Sequence, residues 1–343
     1  MTLNILNNMD MLPVRWGIMA PGKIANKFAS DLNLFRKNAL VSVASSNPER
    51  AQSFANKFGI PSWYGSYKEM LEKENLDVVY IASPHSFHFE QAKSCLEMGV
   101  SVLCEKPVTI NAAQLQVLIT LASEKGLFFM EALWSLFLPT FKDIFNLIKE
   151  GEIGRVTGVK ADFGFHMPLD DSSRLFDPHL GGGSLLDIGI YPLLLATVCL
   201  GKPEEIKAMS SLTKWNVDDE MVAILKYENN GLAQIHSSIR ANTRTEAFIY
   251  GEKGTIWISN RWIDSKKFYV MKLDGSIELF KKTWAGFGYQ FQAMEVEKCL
   301  AERKIESDIA PVNLSLQLMN IMDNIRHQTG IVYPEDHLDF SID

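Results

Sequence analysis

Short apolar runs separated by helically spaced segments fill the first third of the chain. Residues 14–20 read as a buried strand, residues 21–23 as a turn and residues 24–32 as a helix. A second strand follows at 40–45, and Pro48 opens a helix at its favoured first turn that runs through Phe58. A short helix at 69–73, a strand at 77–82 and a helix over 87–98 continue the alternation. The strand 102–105, a helix capped by Asn111 and ending at Lys125, and a strand at 127–130 complete it. Strands alternating with helices through short connections predict an α/β domain with a parallel doubly wound sheet.

The pattern changes after Trp134. Residues 140–150 are helical and 156–166 alternate as one long strand. A polar loop at 168–183 leads into an apolar helix at 184–200. Seven strand-like runs follow, at 205–213, 221–227, 232–239, 245–250, 255–259, 268–273 and 277–281, with hairpin turns at 229–231, 252–254 and 274–275. Helices at 292–300 and 312–326 end the chain. This second part reads as an α+β domain with a large, mostly antiparallel open sheet. The expected division is a leader at 1–13, a first domain at 14–133 and a second at 134–343, with no flexible linker and therefore a shared interface.

Composition narrows the function without naming it. The chain has 343 residues, 47% hydrophobic and 22% charged, which suits a soluble two-domain protein. Its formal charge of -7 argues against a nucleic-acid surface. The four cysteines are far apart in apolar runs and form no CxxC pair, so buried reduced thiols in a cytoplasmic protein are expected, with no metal site. No signal peptide and no apolar stretch long enough for a membrane span is expected.

The candidate chemistry sits at strand ends. Ala20-Pro21-Gly22-Lys23-Ile24-Ala25 is an AxGxxA form of the GxGxxG turn, between a strand and a helix. Gly22 would let the backbone approach a diphosphate, stabilised by the helix amino terminus. At the end of the second strand Ser45 and Ser46 replace the carboxylate that would bind a ribose 2′-hydroxyl, and Arg50 follows one turn later. These groups favour the 2′-phosphate of NADP, and NAD stays open. Ser83, Pro84, His85 and His88 follow the third strand as a cofactor loop, with His88 packing near the cofactor; no carboxylate or cysteine joins the histidines at ligand spacing.

Glu105-Lys106-Pro107 ends a buried strand at the sheet edge where ligands bind, with proline stopping the ladder. Glu105 is expected to face the cofactor or its own loop. Asp187 and Tyr191, four apart on an apolar helix, would share one face. A phenol ionises near ~10, and a nearby Lys106 ammonium would lower that value. Gly181-Gly182-Gly183 just ahead would let the backbone approach a ligand. Trp134, Phe137, Phe165 and Tyr289, with Phe163, Trp284 and Phe287, gather near the domain boundary as candidates for the cofactor or substrate wall.

The near-amino-terminal turn, Glu105-Lys106-Pro107, Met130-Glu131-Ala132-Leu133-Trp134 and Leu186-Asp187-Ile188-Gly189-Ile190-Tyr191-Pro192 together resemble the glucose-fructose oxidoreductase, inositol dehydrogenase and MocA family. Within it the chain is similar to the branch of dimeric dihydrodiol dehydrogenases and NADP-dependent D-xylose dehydrogenases. The resemblance implies a Rossmann domain followed by a substrate domain whose open sheet commonly forms a dimer interface. It implies Lys106 as the active-site lysine and Tyr191 as the proton-transferring group. Ser46 stands where that branch often has a basic residue, and Leu136 where it tends to have another.

The reaction these readings imply is hydride transfer between nicotinamide C4 and a hydroxyl-bearing carbon of a sugar, polyol or cyclic trans-diol. Tyr191 would move the proton, Lys106 would bind the same oxygen, and Asp187 would hold the substrate. Two alternatives are a non-catalytic NADP sensor and a redox-cycling lyase or glycosidase with tightly held NAD.

Overall fold

The computed structural model describes residues 14–338; the expected leader at 1–13 lies outside them. The first domain runs β1 (Trp16–Met19), α1 (Lys23–Phe35), β2 (Leu40–Ala44), α2 (Pro48–Phe58), β3 (Ser62–Tyr64), α3 (Tyr67–Lys73), β4 (Val78–Ile81), α4 (His88–Glu97), β5 (Ser101–Cys104), α5 (Ala112–Lys125) and β6 (Phe129–Glu131). Its six strands are all parallel, in the order β3-β2-β1-β4-β5-β6. Strands β1, β4 and β5 are buried along their whole length, as both faces of the sheet are covered. The order reverses between β1 and β4, so a crevice opens at their carboxyl ends, where Ala20–Lys23 and Ala82–His85 emerge. The short strand β3 was not foreseen. It has three residues, pairs only with β2, and carries no fully buried position to mark it.

The second domain begins with α6 (Pro139–Lys149) and the nine-residue β7 (Val156–Gly164). A loop leads to a π turn (Leu185–Gly189) and then α7 (Ile190–Leu200). Strands β8 (Glu205–Leu212), β9 (Asp218–Lys226), β10 (Leu232–Ser238), β11 (Ala247–Gly251), β12 (Gly254–Ile258), β13 (Lys267–Lys272) and β14 (Ile277–Lys281) follow. They form one eight-stranded sheet, ordered β14-β13-β12-β11-β7-β10-β9-β8. All pairs are antiparallel except β7 with β10 at its centre. The meander β8-β9-β10 follows the α7 crossover, and so brings β10 back alongside β7 in the same direction.

Inward residues of this sheet, such as Ala223, Ile235 and Ile249, are buried, and α7 packs over β7 and β10. Pro178–Leu200 is long and apolar enough to cross a membrane by length and composition, which corrects the expectation that no such stretch exists. Most of it is buried inside the protein, the environment of a core helix.

The last two helices, α8 (Tyr289–Ala301) and α9 (Val312–Thr329), turn back onto the first domain. Glu297 of α8 accepts from Trp16 Nε1 at 3.2 Å and pairs with Arg36 at 2.8 Å, and Asp323 of α9 accepts from Ala112 N at 2.8 Å. Asp31 of α1, fully buried, accepts the amides of Phe287 and Tyr289 at 2.9 and 2.8 Å. The two domains are thereby fastened along the crevice.

Candidate active site

A cleft of about 1000 Å³ runs between the domains, and its cofactor half opens at the amino terminus of α1 and the end of β2. Helix α1 begins at Gly22 with no side-chain cap and no acidic residue in its first turn. Helices α2, α3 and α5, in contrast, are capped by Asn47, Ser66 and Asn111. The free amides of α1 therefore point their partial positive charge into the cleft. A Cβ on Gly22 would come no closer than 3.9 Å to any protein atom, so packing does not demand glycine here. The bare backbone leaves room for a diphosphate to approach the helix amino terminus, and Lys23 and Ile24 line the same place. Ala20 sits at φ 60, the left-handed region that favours glycine.

At the end of β2, Ser45 is buried and its hydroxyl accepts from Asn47 N at 3.1 Å. Ser46 and Arg50 are exposed on the cleft wall, and the Arg50 guanidinium makes no hydrogen bond or ion pair among the described residues. Among the described residues, no carboxylate from the end of β2 or the start of α2 lines the cleft with them. The site fits a dinucleotide with a 2′-phosphate.

Ser83, Pro84 and His85 line the cleft after β4. His85 reaches the other domain: Nδ1 donates to Gly181 O at 2.8 Å, and Nε2 lies 3.7 Å from Asp187 Oδ1. Burial pushes its ionisation well below the ordinary histidine value, against the pull of Asp187. His88 does not reach the cleft, which corrects its assignment as a cofactor residue. It is fully buried at the start of α4, with its ring nitrogens 2.8 Å from Pro107 O and 2.9 Å from Ser83 O. Its role is to tie two loops together.

The reacting end is a network of side chains. Lys106, just past β5, donates through Nζ to the main-chain oxygen of Asp187 at 2.6 Å. The same nitrogen lies 3.7 Å from Asp187 Oδ1 and 5.3 Å from the centre of the Tyr191 ring. Asp187 belongs to the π turn, where Ile190 N donates to Leu185 O. The even helix expected over 184–200 is thus wider at its start, yet Asp187 and Tyr191 still face one cleft. Arg174, from the polar loop, pairs with Asp187 at 2.9 Å. Burial alone would raise the Asp187 carboxyl, but Lys106 and Arg174 hold it below the usual carboxylate range.

Tyr191 departs from expectation. Burial, then the charges of Glu105 and Asp187, push its phenol well above the usual value rather than below it. The resting side chain is a neutral proton donor. Glu105 lines the cleft, but its carboxyl accepts from Tyr80 beneath it, so it braces its own loop. Burial raises its ionisation, opposed by Tyr80 and Lys106.

Gly181, Gly182 and Gly183 also differ from expectation. A Cβ on them would strike His85, the Leu175 carbonyl and Asp218, respectively. Their close approach is to the protein itself, where it seats the π turn. Asp218 completes that seat by accepting from Leu185 N at 2.7 Å and Ser184 Oγ at 2.6 Å.

The aromatic wall is divided. Trp134 stacks on Tyr289 with centroids 5.0 Å apart, and both line the cleft with Phe163, Phe165, Trp284 and Phe287. Phe137 does not: the 3-10 turn Trp134–Phe137 buries it away from the cleft, which corrects its assignment to the substrate wall. Sequence reading missed Arg174 and the brace Tyr80. Arg174 sits in an irregular polar loop with no spacing signal, and Tyr80 is one apolar residue in a buried strand.

A helix-terminus crevice facing an ionisable network on a second domain is the arrangement of a nicotinamide-dependent oxidoreductase. The chain belongs to the GFO/IDH/MocA family. Residues 14–133 match its oxidoreductase, NAD-binding Rossmann domain, and residues 141–257 match its C-terminal domain. It is 33% identical to the trans-1,2-dihydrobenzene-1,2-diol dehydrogenase of Mus musculus, over 95% of this chain and 99% of that one. It is also 33% identical to the D-xylose 1-dehydrogenase (NADP(+)) of Hypocrea jecorina, over 94% and 93%. Among solved structures, a 3-ketoreductase from Actinomadura kijaniata in complex with NADP and TDP-benzene shares the fold. Its TM-score is 0.83 at 24% identity, over 93% of this chain and 98% of that one. The protein is an NAD(P)-dependent oxidoreductase.

Proposed function

We propose that the protein is an NADP-preferring dehydrogenase or reductase acting at a hydroxyl-bearing carbon of a sugar, polyol or cyclic trans-diol. The observation that carries this reading is the meeting of Lys106 from one domain with Asp187 and Tyr191 from the other, in a single cleft continuous with the α1 amino terminus. The activities of the diol and D-xylose dehydrogenase relatives support the substrate class.

A bound nicotinamide supplies the hydride exchange. Lys106 donates a charge-assisted hydrogen bond to the substrate oxygen whose charge changes. Tyr191, neutral at rest, gives its proton to a carbonyl oxygen being reduced and accepts one in oxidation only as pH rises. Asp187 stays ionised, balances Lys106 and Arg174, and accepts from a neighbouring hydroxyl. Phe163, Phe165 and Met167 cover the apolar side of the ring and exclude water.

Absorbance of reduced nicotinamide tests the reading, with NADP and NAD against D-xylose, D-glucose, 1,5-anhydro sugars and trans-dihydrodiols. Turnover of at least one of these with NADP is expected. Cofactor binding without turnover across the panel would contradict it.

The outer face of the eight-stranded sheet supports a homodimer. Val222 and Ile224 are exposed there on β9, and beyond β10 and β7 the strands β11, β12 and β13 carry a stacked ladder of Tyr250, Phe248, Trp257 and Tyr269. Light scattering should give twice the chain mass, and a monomer at micromolar concentration would reject this interface. All four thiols are free, which supports a cytoplasmic location; recovery outside the cytoplasmic fraction would overturn it.

A further inference from the structure

We infer that Glu131 is a positioning residue for Lys106, holding the lysine's loop by accepting the amide of Val108. The inference rests on the reading of Lys106 as the lysine at the reacting oxygen. Glu131 ends β6, in register with Cys104 of β5, and Ala132 N donates to Cys104 O at 2.7 Å. The carboxyl therefore lies beside the loop that leaves β5, and Oε1 accepts from Val108 N at 2.9 Å.

The side chain is 3% exposed at the end of an otherwise apolar strand. An apolar residue would avoid the desolvation of a carboxyl, so its presence calls for a polar task. The groups facing it are few. Lys106 and Glu105 act on it from the loop, Val108 N bonds to it, and Ser315 faces it from α9. Glu131 Oε2 and Ser315 Oγ are buried and make no well-formed hydrogen bond among the described residues. Burial, the largest effect, pushes the Glu131 carboxyl up to about 7, so an acceptor oxygen has to serve in both protonation states.

The surrounding anchors give this contact its meaning. Glu105 is held by Tyr80 of β4, the Lys106 ammonium by Asp187 O of the π turn, and Pro107 O by His88 of α4. Glu131 supplies the fourth anchor, at Val108. Four consecutive residues are thus fixed by four different elements, and after the lysine Glu131 holds the Val108 amide while His88 holds the Pro107 carbonyl. A displacement of about 1 Å at a reacting group can cost about 100-fold in rate.

Two variants separate reach from charge. Glu131→Gln keeps an acceptor at the same reach and cannot ionise. Glu131→Asp keeps the charge but is one methylene too short for Val108. We expect kcat within threefold of wild type for Gln and at least tenfold lower for Asp, with the NADP dissociation constant within twofold in both. Retained kcat in Asp, a fall in Gln as deep as in Asp, or NADP binding lost in step with kcat would each overturn the role. If Asp does not fold, Gln decides alone: kcat within threefold supports the acceptor role, and a tenfold loss overturns it. Lys106→Met, measured in parallel, tests the reading beneath. Retained turnover there removes Lys106 itself, whereas loss there with retained turnover in Asp removes only the role of Glu131.

Discussion

The two ends of the cleft are built in opposite ways. At the cofactor end, the first-turn amides of α1 lack a cap, Gly22 leaves space that packing does not need, and the Arg50 guanidinium is unpaired among the described residues. At the reacting end, the Lys106, Asp187, Glu105 and His85 side chains each already have a protein partner. The first end is completed by the charges of what binds there. The second is preorganised, so its groups need little rearrangement as charge develops. Changes at the cofactor end should therefore alter affinity, and changes at the reacting end should alter turnover.

The sharpest break of that contrast is Tyr191→Phe, which removes the proton donor. We expect kcat about 100-fold lower or more in the reductive direction, with NADP affinity unchanged. Wild-type oxidation should accelerate as pH rises above 8, because a phenol held above its usual value becomes a proton acceptor only as it ionises. Reduction, which uses the protonated phenol, should be flat over the same range. An oxidative rate that falls with rising pH would contradict the assignment.

Arg50→Ala should act at the other end. Loss of a charge-assisted contact to a 2′-phosphate, worth about 1.5–3 kcal/mol, predicts roughly tenfold or more weaker NADP binding by fluorescence titration, with NAD binding unchanged. Equal weakening of both cofactors would show that Arg50 does not read the 2′-phosphate.

The smallest effect concerns Ala20 at φ 60. Ala20→Gly relieves backbone strain of about 1 kcal/mol, partly offset by the greater freedom of glycine when unfolded. Thermal unfolding should show a gain below about 1 kcal/mol and no change in kcat. A loss of stability would mean that the Ala20 methyl group contributes packing that outweighs the strain.

The same contrast explains what could be read before the structure. The cofactor end rests on local signals: a glycine turn between strand and helix, and hydroxyls after β2. Those depend on residues a few positions apart. The reacting end depends on contacts across the chain, so it was legible only in part. Lys106, Asp187 and Tyr191 were singled out, but Arg174, Tyr80 and the anchor at Glu131 were not. His88 was misread because its position on the loop suggested the cofactor, whereas two backbone carbonyls hold its ring. The ionisation of Tyr191 was misjudged because the Lys106 charge was considered without burial and without Glu105 and Asp187. The parallel pairing of β7 with β10 was hidden because it joins strands on either side of the α7 crossover.

The central claim is that Lys106 serves the chemical step and not cofactor binding. Lys106→Met, assayed for turnover and NADP affinity on the same preparation, tests it most directly. The account predicts kcat about 100-fold lower or more, with the NADP dissociation constant within about twofold of wild type. Wild-type turnover, or a loss of NADP affinity that accounts for the whole loss of activity, would contradict it.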